Sequence, residues 1–259
     1  MKRLKFALIV AVAALLPTVA WAAPGDGIAG TAHDFSNKQV TGGSGATFTT
    51  GSCTFCHTPH RALQTLLLWN HTLSQAQYNW DVPTTTAGTP FPTLIGDAYK
   101  GPTTKCLSCH DGSVAIGDVA WFGEGKPAAP LDTTKHAWPD PFNVGATDGV
   151  LGSMKGNHPV AMPYPYLNAA NTYNGKTTGG AAELSEWQAT PLSPVRIFND
   201  DGAGNITAGA VAGKTGIECS SCHDPHNKAS VDDLFLRGGI GGNVATTGAG
   251  YLCLKCHKK

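Results

Sequence analysis

Charge is scarce in this chain. Only 14% of its 259 residues are Asp, Glu, Lys or Arg, against about a quarter in an ordinary globular domain. The 18 basic and 18 acidic residues cancel, and the basic ones form no patch, so nucleic-acid binding has no electrostatic footprint. Methionines number only three. Beyond the N-terminus no apolar run is long enough to cross a bilayer as a helix, which argues against stable membrane insertion. No Ser-His-Asp order and no carboxylate pair can be argued from the spacing. No cysteine is left over from one repeated pattern.

What is abundant is glycine and proline, 32 and 17 residues, with much Thr, Ser and Asn. This composition predicts a chain that is mostly irregular, with a few short helices and a small hairpin at 196–211 around an Asp-Gly turn. Short helical turns are expected at 61–68, 183–189 and 231–237. A core built only from such side chains would be poor, so another group is expected to fill the interior. At the N-terminus, Lys2, Arg3 and Lys5 precede an apolar stretch of 11 residues, Phe6 to Leu16, and Ala20-Trp21-Ala22 follows. That is the pattern of an export signal cleaved after Ala22. Residues 23–259 are then the mature chain, exported to the periplasm or beyond. Loss of three cations from a neutral chain leaves it at −3.

All eight cysteines sit in four C-x-x-C-H motifs. They are Cys53/Cys56 before His57, Cys106/Cys109 before His110, Cys219/Cys222 before His223, and Cys253/Cys256 before His257. This is the attachment signal for haem c. Two thiols bond to the porphyrin and the adjacent imidazole ligates the iron. Four disulfides would use the same cysteines in an exported protein, and paired knuckles can hold zinc. Neither reading explains a histidine in the fifth position at all four sites. Four covalent haems c are therefore expected. The motifs form two pairs, 53–110 and 219–257, separated by a linking segment at 111–218. CTFCHTPH at 53–60 is echoed by CSSCHDPH at 219–226, which reads as a duplicated unit. A single domain wrapped around a haem core is the predicted fold class.

Six histidines remain for four sixth positions: His33, His60, His71, His136, His158 and His226. His60 follows His57 by three residues, so on a helical turn both point from one face. They cannot clasp the same iron, and His60 is expected to reach a neighbouring one. The same holds for His226 after His223. His71 in LWNH and His158 in NHPV are further candidates, His33 is less clear, and His136 has the least support. Five candidates compete for four places. If every iron is closed by two imidazoles, no position is left for substrate, and an electron carrier is expected in preference to an enzyme. A multihaem reductase with one open iron is the alternative.

The segments HDFS at 33–36, CTFCHTPH at 53–60, LWNH at 68–71, CLSCHDG at 106–112, NHPV at 157–160, CSSCHDPH at 219–226 and LCLKCHK at 252–258 run in order through the chain. Together they resemble the exported multihaem c-type cytochromes of metal-respiring bacteria. The likeness is strongest to the outer-surface tetrahaem cytochromes that polymerise into extracellular filaments. The resemblance implies bis-histidine haems stacked in pairs and a homopolymer on the cell surface. The implied partners are other redox proteins or extracellular electron acceptors. It also implies that His33 is lent to a neighbouring subunit. A monomeric periplasmic shuttle is the other form the carrier could take.

Overall fold

The structure is a computed structural model. It describes residues 23–36, 39–41, 47–49, 51–60, 62, 66–74, 78, 80–85, 88–91, 99, 101–111, 114, 119, 153–178, 184–232, 234–241 and 250–258. The proposed signal segment and His136 lie outside them.

In chain order the strands are β1 (Gln39–Thr41), β2 (Thr47–Thr49), β3 (Met162–Pro163), β4 (Thr172–Tyr173), β5 (Lys176–Thr177), β6 (Phe198–Asp200), β7 (Ile206–Ala208) and β8 (Thr215–Ile217). Two α-helices, α1 (Pro102–His110) and α2 (Cys219–Cys222), coincide with the second and third motifs. Single 3-10 turns occur at Leu66–Leu68, Tyr166–Asn168 and Leu252–Lys255. Every strand pairing is antiparallel. β1 pairs with β2, β4 with β5, and the largest sheet has the order β3-β8-β6-β7.

The turns explain the hairpins. β4 and β5 are joined by Asn174-Gly175, with φ of 48° and 67°. Two left-handed residues in a row twist with the strands, which is why Asn-Gly favours tight hairpins. Between β6 and β7, the Asp201 carboxylate accepts from the backbone N–H of Ala203 at 2.7 Å and of Asn205 at 3.1 Å. Phe198 then faces Ala208 across the ladder, inside the hairpin expected at 196–211.

The expected fold class is corrected. The described residues form a mixed, strand-rich fold of antiparallel sheets with only two short α-helices, and not a mostly irregular chain wrapped around a haem core. Side chains fill the interior beside the large sheet. One cluster joins Tyr78, Tyr99, Leu107, Met154, Ala161, Tyr173, Phe198 and Ile206. A second joins Phe91, Met162, Tyr164 and Ile217, with Trp187 packed on it. The segment 111–218, read from sequence as a linker, carries six of the strands. Strands of two or three residues are too short to display a period-2 pattern, so the same Thr, Tyr and Gly residues read as loop. None of the described residues in the expected turn at 231–237 is helical; Leu236 instead forms a β-bridge to His223. Among the described residues of the expected turn at 183–189, Leu184 and Ser185 are helical and Glu186 to Ala189 are not.

β8 is tightly enclosed. Thr215, Gly216 and Ile217 are all buried. A Cβ at Gly216 would collide with the Tyr173 ring and the Met162 carbonyl. Gly216→Ala is therefore expected to destabilise the fold by about 1–3 kcal/mol through overpacking. A urea denaturation midpoint unchanged from the parent chain would contradict this close approach.

Candidate cofactor and metal sites

Residues 53–60 and 219–226 fold alike. His57 Nδ1 lies 2.6 Å from the Leu67 carbonyl, and His223 Nδ1 lies 2.8 Å from the Leu234 carbonyl. The Thr58 N–H donates to Leu68 O, as that of Asp224 donates to Phe235 O. The Asn70 N–H returns to Cys56 O, as that of Arg237 returns to Cys222 O. Even the side chains match, since Asn70 Nδ2 donates to Thr54 O and Arg237 Nε to Ser220 O. The duplicated unit is thus a motif followed by a returning segment that forms a single β-bridge to it. A carbonyl of that segment accepts the Nδ1 proton of the motif histidine. Such a bond fixes the tautomer and leaves Nε2 free for a metal.

All eight cysteines are free thiols. The second thiol of every motif is pushed up by burial: Cys56, Cys109 and Cys256 to about 12, and Cys222 to about 11. The sites also adjoin in sequence order. Cys56 adds to the rise at Cys109. A hydrogen bond with Cys106 is the largest cause of the rise at Cys219. Cys253 contributes at Cys222. Among the described residues no group of three or more His, Cys, Asp or Glu converges as a polypeptide-only metal cage.

The imidazoles come together in twos. His33 and His110 have ring centres 6.1 Å apart, His57 and His226 6.2 Å, and His158 and His257 6.4 Å. Metal–imidazole bonds are about 2 Å long, so an ion held between two ring nitrogens sets the ring centres about 6 Å apart. In each pair one histidine belongs to a motif and the other to the remaining six. The residues therefore fit an iron with two axial imidazoles at the first, second and fourth motifs.

The partners are individually supported. His33 Nδ1 lies 3.1 Å from Pro225 O, and its ring stacks on Phe235 at 4.7 Å. Burial lowers its pKa, with His110, His226 and His223 adding to the effect, so the neutral, ligating form is favoured. His158 Nδ1 lies 2.9 Å from Pro159 O. His257 packs against Trp187 at 4.1 Å. His226 faces His57 of the first motif and not His223, its own neighbour. His60 is exposed, and its carbonyl accepts from the Thr58 hydroxyl at 2.8 Å. No imidazole faces His60 or completes His223 among the described residues. His71 is fully buried, edge-on to Phe55 at 5.0 Å and 6.1 Å from Trp69.

Sequence reasoning missed Glu218. It is fully buried and caps α2, with Ser221 closing a capping box. Its carboxyl accepts from the hydroxyls of Tyr99, Tyr173 and Thr103 and from the Thr103 N–H at 3.1 Å. Thr103 Oγ1 in turn accepts from the Cys219 N–H at 3.1 Å. One carboxyl thereby ties the start of α1 to the start of α2. The only signal was an acid three residues before Ser221, in the helix-cap position.

No protein-family model matches this chain, and no curated protein matches it either.

Burial is the main cause raising the Glu218 pKa above 4.5, against the hydrogen bonds, which lower it. A raised acid stabilises the fold fully below its unfolded value, and that stability is lost as pH rises through the folded value. The urea midpoint of the parent chain is expected to fall between pH 4.5 and neutrality more steeply than that of Glu218→Gln. Glu218→Leu, which strands the hydroxyls, is expected to cost on the order of 3 kcal/mol. Parallel pH profiles for the parent and the Gln variant would contradict the assignment.

Proposed function

We propose that this protein is an electron carrier with four covalently attached haems and no catalytic site. The observation that carries the reading is the pairing of motif histidines with distant histidines at 6.1–6.4 Å. Haem iron bound there would supply one-electron redox chemistry. Cys53/Cys56, Cys106/Cys109, Cys219/Cys222 and Cys253/Cys256 would hold the four macrocycles as thioethers. His57, His110, His223 and His257 would ligate from one side. His226, His33 and His158 would close the first, second and fourth sites, with His60 and His71 the candidates left for the third.

The chain's own contribution is positional. Carbonyls of Leu67, Leu234, Pro225 and Pro159 aim the Nε2 atoms of four imidazoles. At the first, second and fourth sites two imidazoles would leave no coordination position for substrate, which favours transfer over catalysis. Adjacency of the sites in the order first, second, third, fourth supports a continuous path through the molecule. Its partners would be redox proteins or electron acceptors met after export. The resemblance to filament-forming cytochromes extends this reading to a subunit of an extracellular homopolymer, with a monomeric periplasmic shuttle as the other form of the carrier.

Properly matured protein is expected to yield four haems per chain in a pyridine haemochrome titration, and only low-spin iron in resonance Raman and EPR spectra. Three or fewer haems would overturn the tetrahaem reading. A stoichiometric high-spin iron would favour a reductase.

A further inference from the structure

The arm that carries His33 is fastened by one side chain, Asn227. This residue is 2% exposed and sits at φ 52°. Its Oδ1 accepts from the Gly25 N–H at 3.1 Å, and its Nδ2 donates to Ala23 O at 3.1 Å and to Gly27 O at 2.9 Å. Its own carbonyl accepts from the Gly27 N–H at 3.0 Å. Only an amide side chain accepts and twice donates in this way, and asparagine also tolerates the left-handed backbone.

Beyond the clamp the arm is stiffened as far as His33. The Thr31 hydroxyl donates to Ile28 O at 2.6 Å and accepts from the His33 N–H at 3.2 Å. Asp34 accepts from the Gly30 N–H at 2.7 Å and the Ser36 N–H at 3.0 Å. The clamp loop is itself anchored. Asp224 accepts from the backbone N–H of His226 at 3.2 Å, Lys228 at 3.0 Å and Ala229 at 2.7 Å, and Arg237 lies 3.4 Å away. The same loop offers the Pro225 carbonyl to His33 and presents His226 to His57.

We infer that Asn227 is a positioning residue that docks the 23–34 arm onto the 224–229 loop, making His33 the sixth ligand of the iron held at Cys106 and Cys109. The inference rests on the four-haem reading. A loop following the third motif thus completes the coordination of the first two sites. The arm is held by hydrogen bonds and one ring stack, without a strand or helix of its own. Removal of the amide therefore releases the arm while the rest of the fold stays in place.

The test uses the full, haem-loaded chain with Asn227→Gly and His33→Ala. Glycine accepts φ 52° without strain, so the first variant removes only the side-chain bonds. Both variants are expected to keep four haems, with one of the four irons leaving the low-spin state. Added imidazole should restore it in both. Hydrogen exchange at Gly25 and Gly27 should rise about tenfold or more in Asn227→Gly. The double variant should show no further loss. Four low-spin irons in either single variant would overturn the inference, as would unchanged exchange of the arm in Asn227→Gly. The four-haem reading is judged separately, by the haem content of the unmutated chain.

Discussion

Glu218 has no contact with water, and the arrangement of the sites depends on it. A carboxyl group in that setting must find several donors, because an unpartnered one would be too costly to bury. It finds them in Tyr99, Tyr173 and Thr103, and the choice of donors decides the architecture. Thr103 opens α1, which ends on His110, and Glu218 itself opens α2, which leads to His223. Tyr173 comes from β4, and Gly216 of β8 leaves room for its ring. One knot therefore brings the second motif beside the third and both against the sheet, with Cys106 and Cys219 in hydrogen-bond contact.

The two duplicated units differ where their surroundings differ. In the first, Thr58 and Asn70 occupy the places that Asp224 and Arg237 take in the second. The neutral pair only closes its returning segment. The charged pair closes the equivalent segment and also organises the loop after the motif. Arg237 is 1% exposed beside Asp224, and burial is the main cause that lowers its pKa. Isolated buried charges are strongly disfavoured, so the two must stay together. The result is a rigid 224–229 loop with two histidine contacts, His226 to the first site and His33 to the second.

The proposed attachment chemistry is local in sequence, and for that reason its four motifs were legible. A thioether pair and its adjacent imidazole must occupy five consecutive residues, whatever the rest of the chain does. Sixth ligands face no such constraint. His57 and His226 meet from opposite ends of the chain, and only the argument that a histidine three residues on cannot serve the same iron hinted at such a crossing. Nothing in TAHDFS marked His33 as facing His110, because the contact is made by Asn227 and Pro225, far along the chain. The sheets were illegible for a different reason: strands of two or three residues show no alternation. Asn174-Gly175 was a readable hairpin signal that passed unused amid the glycine-rich composition. Glu218 offered only its helix-cap position, because the donors Tyr99, Thr103 and Tyr173 lie far from it in sequence.

The central claim is that distant histidines complete the motif sites, and the pair formed by His57 and His226 tests it most directly. Site-assigned paramagnetic NMR of His226→Ala follows each iron separately. The axial-imidazole signals are expected to change at the iron held by Cys53 and Cys56, with the iron at Cys219 and Cys222 retaining its His223 signal. A change confined to the Cys219/Cys222 iron, or no change at any iron, would contradict it.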